Sequence, residues 1–311
     1  MARKLADHPG IRRNVILAPY TTWRIGGPAA YLLEPRSEDD LLLALELARA
    51  ERMPISVIGR GSNVLVDDKG VRGLVVVLQR SLSSHGIDAG VGTVGAGAGV
   101  PLPMLARRAA AGGVAGFDFL IGIPGSVGGG VIMNAGIGGR SGRCLDDVLV
   151  SARVIETPSA TVRTLNRAAC GLRYRGSTIG DRGWIVLSVT FVGTPGHESG
   201  VLFAEQRRIT QRRREKQPLT RKTSGSVFVH PEGTHSAGWY LDRCGLKGYR
   251  VGGASVSHMH ANWIENTGDA KADDVRELMD VMRSSVLERF GIALVAEIRH
   301  VPGNGSEDRM P

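Results

Sequence analysis

Cysteine is scarce in this chain. Cys144, Cys170 and Cys244 are scattered, odd in number and never spaced as CxxC. That argues against a disulfide framework and against a zinc site built on thiolates. It suits a reducing compartment, so a cytoplasmic location is expected. Long apolar runs are missing too. Those present, such as Leu74–Leu78, are strand-sized, far short of the ~20 apolar residues of a membrane helix. Met1–Gly10 is polar and lacks the apolar core of a signal peptide. Acidic residues are in deficit: 30 against 39 Lys and Arg leave a formal charge of +9. The excess permits an anionic partner, whether nucleic acid, anionic lipid or a phosphorylated small molecule. The densest basic stretch, "RRITQRRREKQPLTRK" from Arg207 to Lys222, has none of the interleaved aromatics of single-strand binders. It reads equally well as a solvated helix face and its exit.

What remains is an ordinary globular composition, 42% hydrophobic and 22% charged, in a length that suits two or three domains. Tyr31–Glu34 reads as a strand. Ser37 caps a helix over Glu38–Arg49 that sets Leu41, Leu42 and Leu45 on one side. "PISVIG" and "GLVVVL" (Gly73–Leu78) read as further strands, giving a small α/β unit. A second unit starts near His85, with the glycine-dotted strand "GTVGAGAGV" and a helix "PLPMLARRAAAGG" that ends in glycine. Val148–Val192 is strand-like, and "GTPGHESG" (Gly193–Gly200) marks a boundary. In "KADDVRELMDVMRSSVLERFG", Val275, Leu278, Met279, Met282 and Val286 follow helical spacing, with acids in the first turn and Gly291 at the end. "IALVAEIRHV" reads as a closing strand with Val295, Glu297 and Arg299 on one face. The expected units are residues 1–84, 85–193 and 194–302, with 303–311 a disordered tail.

Two glycine-rich segments invite chemistry. "GRGSN" (Gly59–Asn63) allows positive φ and close approach to main chain, and successive N–H groups there form an anion nest. It also reads as a plain turn between strands. "GFDFLIGIPGSVGGGVIMNAG" (Gly116–Gly136) is a second stretch of bare backbone, with Ile121, Ile123, Val127 and Ile132 able to wall a ring system. Neither matches G-x-G-x-x-G or a Walker motif. Two such loops suit the pyrophosphate of a dinucleotide; a structural turn is the alternative.

Further segments follow in a fixed order: "TTWRIGGPA", "GRGSNVLV", "GIPGSVGGGVIMNAG", "YRGS" (Tyr174–Ser177), "SGSVF" (Ser224–Phe228), "AGWYLDRCGLKGYRVGGASVSHMHANWIENTG" and "EIR" (Glu297–Arg299). Together they resemble the UDP-N-acetylenolpyruvoylglucosamine reductase family, in its shorter type II form, across nearly the whole chain. The resemblance implies an α+β fold: a two-subdomain FAD-binding module of the vanillyl-alcohol-oxidase/PCMH type, then an α+β substrate-binding domain. It implies non-covalent FAD. Relatives that attach flavin covalently commonly have a His in the first loop, where this chain has Ser62-Asn63-Val64. It implies NADPH as hydride donor and a UDP-sugar substrate, with no nucleic acid and no membrane insertion; the oligomeric state stays open, a monomer included.

Carried over residue by residue, the cofactor contacts would come from Gly59, Gly61, Ser62, Asn63 and Val64, and from Ile123, Pro124, Gly125, Ser126, Gly128, Gly129, Asn134 and Ala135. Arg175 matches the family's carboxylate-polarising arginine, Glu297 its catalytic glutamate and Ser226 its proton donor. The bland readings are a surface ion pair, a solvent-facing strand residue and turn punctuation. Tyr174, Lys216, His230 and Tyr249 are substrate-side candidates, with Arg221 and Lys222 as further cations for a diphosphate. Some positions depart from the family pattern. Val229-His230-Pro231 stands where Lys-Asn-Pro is usual, Ile137 where Tyr is usual and Leu172 where an aromatic is common, while His258 and Trp263 are at less usual positions. No metal is expected, because His230, His235, His258 and His260 lack a carboxylate or Cys at ligand spacing. Two rival readings are another flavin oxidase or dehydrogenase of the same fold, and a non-catalytic anion- or nucleic-acid-binding protein.

Overall fold

The computed structural model describes residues 4–157, 159–233, 235–303 and 308–309. The first sheet is built from β1 (Ile11–Ile16) and β2 (Pro28–Leu33), helix α1 (Glu38–Ala50), then β3 (Ile55–Ile58). A short strand β4 (Val64–Val66) intervenes before β5 (Val71–Val77). The sheet order is β1-β2-β5-β3, with β5 parallel to both neighbours. Central parallel strands are covered on both faces, and β5 is accordingly buried at every position except Arg72. Ser37 caps α1, accepting the Asp40 N–H at 3.1 Å.

The second sheet is antiparallel throughout. It comprises β6 (His85–Asp88), β7 (Thr93–Gly97), β8 (Leu149–Glu156), β9 (Thr161–Asn166) and β10 (Ile185–Val192), ordered β6-β7-β10-β8-β9. Helix α2 (Leu102–Ala111) and the six-residue helix α3 (Val127–Ile132) pack beside it. The reading of "VGGGVI" as bare loop is corrected here. Each glycine costs about 1 kcal/mol against alanine in a helix, but close packing favours glycine at two of the three positions. A Cβ on Gly128 would lie 2.9 Å from Ala98 Cβ, and one on Gly130 2.9 Å from Leu145 Cδ1.

After two single-turn helices, α4 (Arg167–Cys170) and α5 (Thr178–Asp181), the chain enters the long helix α6 (Ser199–Lys216). Helix α7 (Ala237–Arg243), a small antiparallel sheet of β11 (Arg250–Val251), β12 (Ala254–Val256) and β13 (Ile264–Asn266), and α8 (Ala272–Phe290) form the last unit. The expected stripe on α8 is buried: Val275, Leu278, Met279, Met282 and Val286 are all at most 1% exposed. Each such side chain contributes ~1.5–3 kcal/mol. Gly291 closes the helix at φ 67°, its N–H bonded to Leu287 O.

The closing strand is shorter than its sequence pattern suggests. Only β14 (Arg299–Val301) forms a ladder, parallel to β4 and antiparallel to β15 (Asp308–Arg309). Residues upstream are extended but pair singly with the 227–229 segment, through Val229 N→Val295 O at 3.0 Å and Glu297 N→Val227 O at 2.8 Å. Strand β4 was absent from the sequence reading because its partner lies some 235 residues away, beyond any local periodicity. Of the tail after Pro302, Gly303 and the two residues of β15 are described; residues 304–307 and 310–311 lie outside the described residues.

The seam between the first sheet and the last unit is stitched from both sides. Trp23, fully buried, sits in the core of the last unit, donates Nε1–H to Ile264 O at 2.8 Å and accepts from Asn266 Nδ2 at 2.8 Å. Asp68 accepts the Ala272 N–H at the start of α8 at 2.7 Å. Asp67 faces His300 Nε2 at 2.7 Å.

Candidate active site

The three units meet around a cavity of about 550 Å³. One wall is main chain. The "GRGSN" loop and the Ile123–Ser126 segment press together, so that a Cβ on Gly59 would sit 2.6 Å from Ser126 Oγ. Gly61 takes φ +63°, and a Cβ there would lie 2.0 Å from Tyr20 O. Only glycine tolerates both demands. The N–H groups of Arg60, Gly61, Ser62 and Asn63 donate to no acceptor among the described residues.

The opposite wall is side chain. Arg175 sits in a left-handed turn (φ 56°), a strain that surrounding structure must hold in place. Reciprocal Arg173–Gly176 backbone bonds close that turn. The Arg175 guanidinium reaches Glu297 Oε1 at 2.7 Å and Gly136 O at 3.2 Å. Glu297 is only 16% exposed at its side chain. Burial pushes its carboxyl up from the ordinary value, against the pull of Arg175. Ser226 lies one residue from Val227, whose carbonyl accepts the Glu297 N–H. Ser226 also bridges Trp263 through the backbone. Asn63 links the two walls: its Nδ2 donates to Glu297 O at 3.0 Å, and its own carbonyl accepts the Arg299 N–H at 3.0 Å.

Arg175, Ser226 and Glu297 all line this cavity, as do Gly59, Gly61, Ser62, Asn63, Val64, Ile123, Pro124, Gly125, Ser126, Gly129, Ala135 and His230. Gly128 and Asn134 are outside the lining. Gly128 is buried against Ala98, and Asn134 uses its side chain on Arg173 O and the Asp146 N–H, bracing the turn that carries Arg175. Tyr174 is also outside it, packed beneath the Arg140 and Arg175 guanidinium groups. Lys216 is exposed at the end of α6, and Tyr249 is 46% exposed. His230 stays neutral more readily than usual, because burial and then Arg175 and Arg140 lower its pKa.

Sequence reasoning passed over Arg213. Within a run of arginines on α6 it alone turns inward, onto Gly122, and its Nε has no partner among the described residues. Burial and neighbouring Arg175 push it down to about 10. The signal available was Ile209 four residues earlier, an apolar residue in a basic helix that marks the buried face. Arg299, in "EIR", joins the same lining. Among the described residues no cluster of His, Cys, Asp and Glu suits a metal.

Comparison with known proteins adds chemistry to this geometry. Residues 29–166 match the FAD binding domain family model, and 217–301 match the model described as UDP-N-acetylenolpyruvoylglucosamine reductase, C-terminal domain. The chain is 41% identical to UDP-N-acetylenolpyruvoylglucosamine reductase of Synechococcus sp. (strain WH7803), over 96% of this chain and 95% of the relative. It is 42% identical to that of Parasynechococcus marenigrum (strain WH8102), over 96% and 98%. The crystal structure of UDP-N-acetylenolpyruvylglucosamine reductase from Thermus caldophilus superposes with a TM-score of 0.74 at 33% identity, covering 93% of this chain and 98% of the other. The cavity fits a flavin dinucleotide: unclaimed main-chain donors at residues 60–63 suit phosphate oxygens, and Ile123, Ile132 and Ile137 give apolar walls.

Proposed function

This chain belongs to the UDP-N-acetylenolpyruvoylglucosamine reductase family, and from that premise we propose that it reduces UDP-N-acetylglucosamine enolpyruvate to UDP-N-acetylmuramate with NADPH, in peptidoglycan precursor synthesis. It is an FAD-dependent oxidoreductase with the two-part flavin-binding fold followed by an α+β unit. FAD would be held by the main-chain donors of residues 60–63 and the Ile123–Ser126 segment, with Arg213 and Arg299 as cations beside it. When bound, it supplies hydride chemistry between the nicotinamide and the enolpyruvyl carbon.

The chain's own residues do the rest. The Arg175 fork binds the substrate carboxylate and stabilises charge that builds there as the double bond is reduced. Glu297, whose carboxyl burial pushes up from its ordinary value against the pull of Arg175, would in its protonated form donate a hydrogen bond to the same group. Ser226 Oγ gives a proton to the neighbouring carbon, a step open to a weak acid only where water is excluded. His230, which lines the cavity, is the substrate-side residue this reading uses; Tyr174, Lys216 and Tyr249 lie outside the lining. The observation that carries this reading is the Arg175–Glu297 contact at 2.7 Å, set between the glycine loops and Ser226.

Purified protein is expected to be yellow and to release intact FAD on denaturation. In Ser226→Ala, NADPH is expected to bleach the flavin at the normal rate, while reoxidation by the enolpyruvyl substrate slows at least a hundredfold. Stopped-flow absorbance separates the two half-reactions. Slow bleaching with normal reoxidation would remove Ser226 from the proton-donor role.

A further inference from the structure

The turn that carries Ser226 is held firmly on one side. Val227 N–H donates to Asn262 O at 2.9 Å and Phe228 N–H to Asn262 Oδ1 at 3.0 Å, while Asn262 Nδ2 donates back to Phe228 O at 2.8 Å. Ahead of Ser226 the chain has less to hold it. Gly225 takes φ +82°, and nothing lies within 4 Å of where a Cβ would stand. Thr223 Oγ1 has no partner among the described residues. Of residues 222–225, Ser224 is the one whose side chain makes a hydrogen bond among the described residues. Its partner is Thr22 Oγ1, at 3.2 Å and 202 positions earlier.

Thr22 belongs to the other side of the cavity. Its N–H and its Oγ1–H both donate to Gly61 O, at 3.0 Å and 3.2 Å, in the middle of the glycine loop 59–63. A hydroxyl has one proton and two lone pairs. Thr22 gives its proton to Gly61 O, so Ser224 is the donor in the Ser224–Thr22 contact. The bonds therefore run from Ser224 Oγ through Thr22 Oγ1 to Gly61 O. Thr22 has little freedom of its own. Thr21 Oγ1 donates to Ile25 O at 2.9 Å and accepts the Ile25 N–H at 3.2 Å, and Trp23 is locked into the last unit through Ile264 O.

A proton donor has to stand within hydrogen-bond reach of the carbon it protonates, and a misplacement of about 1 Å costs on the order of a hundredfold. The flavin is placed by the glycine loop, whereas Ser226 is placed by Asn262 of the last unit. The distance between them depends on the seam where these parts meet. Thr22 crosses that seam and reaches the serine turn two residues before Ser226.

We propose that Thr22 is a positioning residue for the reductase chemistry: through Ser224 it fixes Ser226 against the flavin-holding loop. The proposal rests on the reductase reading, in which Ser226 is the proton donor. Thr22 is outside the lining of the main cavity, while Ser224, Gly225 and Ser226 belong to it, so Thr22 acts only through them.

The test is stopped-flow absorbance on the flavin-loaded full chain, following bleaching by NADPH and reoxidation by the enolpyruvyl substrate. Thr22→Val keeps the shape and the backbone N–H and removes the hydroxyl. It is expected to retain flavin and to bleach within about twofold of wild type, while reoxidation slows about tenfold. Ser224→Ala is expected to do the same, and Thr22→Ser to restore the rate. Added to Ser226→Ala, Thr22→Val is expected to slow reoxidation no further, because an effect transmitted through the serine vanishes with it. The proposal is overturned by normal reoxidation in Thr22→Val or Ser224→Ala, by bleaching and reoxidation slowing together, or by additional slowing in the double variant. Normal reoxidation in Ser226→Ala itself would remove the proton donor from the reductase reading and the proposal with it. A slow Ser226→Ala beside a normal Thr22→Val overturns the proposal alone.

Discussion

The two walls of the main cavity are made of different material. One is main chain, supplied by Gly59–Asn63 and Ile123–Ser126; the other is side chain, supplied by Arg175, Arg213, Ser226, His230, Glu297 and Arg299. Main-chain donors cannot be exchanged by substitution, so selection acts there through shape: glycine where a Cβ would collide. Side-chain walls are open to substitution; of the departures from the family pattern, Ile137, His230 and Trp263 line the cavity. The first wall suits a resident group whose phosphates never change. The second suits a reaction in which charge and protons must move.

The comparison is best broken at Gly61. Gly61→Ala puts a Cβ 2.0 Å from Tyr20 O at a positive φ, so a loss of about 3 kcal/mol or more in stability is expected, with a flavin-free product. Flavin content after gel filtration, together with a thermal melt, measures both. A yellow protein with an unchanged melt would show that the main-chain wall is not sterically fixed.

Glu297→Gln tests the other wall. Glu297 has a raised pKa, so its protonated form is lost as pH rises through that value, and wild-type kcat/KM is expected to fall on the alkaline side. Glutamine keeps a hydrogen-bond donor and cannot ionise. A roughly hundredfold drop at neutral pH is expected, with the alkaline limb gone from the pH profile. Persistence of that limb would assign it to another group.

Asn63→Ala removes a side chain that ties the walls together, through Glu297 O at 3.0 Å. About tenfold in kcat and ~1 kcal/mol in stability are expected. An intact kcat would mean that the strand alone positions Glu297.

The smallest effect is expected at His230→Asn. Its lowered pKa leaves it neutral at physiological pH, and it gains charge only as pH falls. The wild-type KM for the UDP-sugar is expected to change on the acid side, and Asn is expected to flatten that change while shifting neutral activity less than about threefold. Parallel KM–pH curves for the two proteins would remove His230 from substrate contact.

The ordered motifs made the cavity legible before any coordinates. Arg175 and Ser226 are 51 residues apart in sequence and Ser226 and Glu297 are 71 apart, yet all three line one space. Arg213 was hidden because a helix that is basic all round gives no apolar stripe to show which arginine turns inward. Strand β4 was hidden because a three-residue parallel strand carries no periodicity and its partner is remote. Helix α3 was hidden because glycine has poor helix propensity, and only the Ala98 and Leu145 contacts explain its use. Asn134 was read for its motif, while its task of bracing Arg173 depends on a turn formed 39 residues later.

The parallel pairing of Arg299–Val301 with Val64–Val66 sets a schedule for synthesis. A ribosome adds residues from the N-terminus onward, so the "GRGSN" side of the cavity exists for most of translation without the strand that flanks it. Flavin capture is therefore expected to follow synthesis of residues 299–301. A nascent chain arrested short of Arg299 is expected to leave that loop without its flanking strand and to take up less flavin.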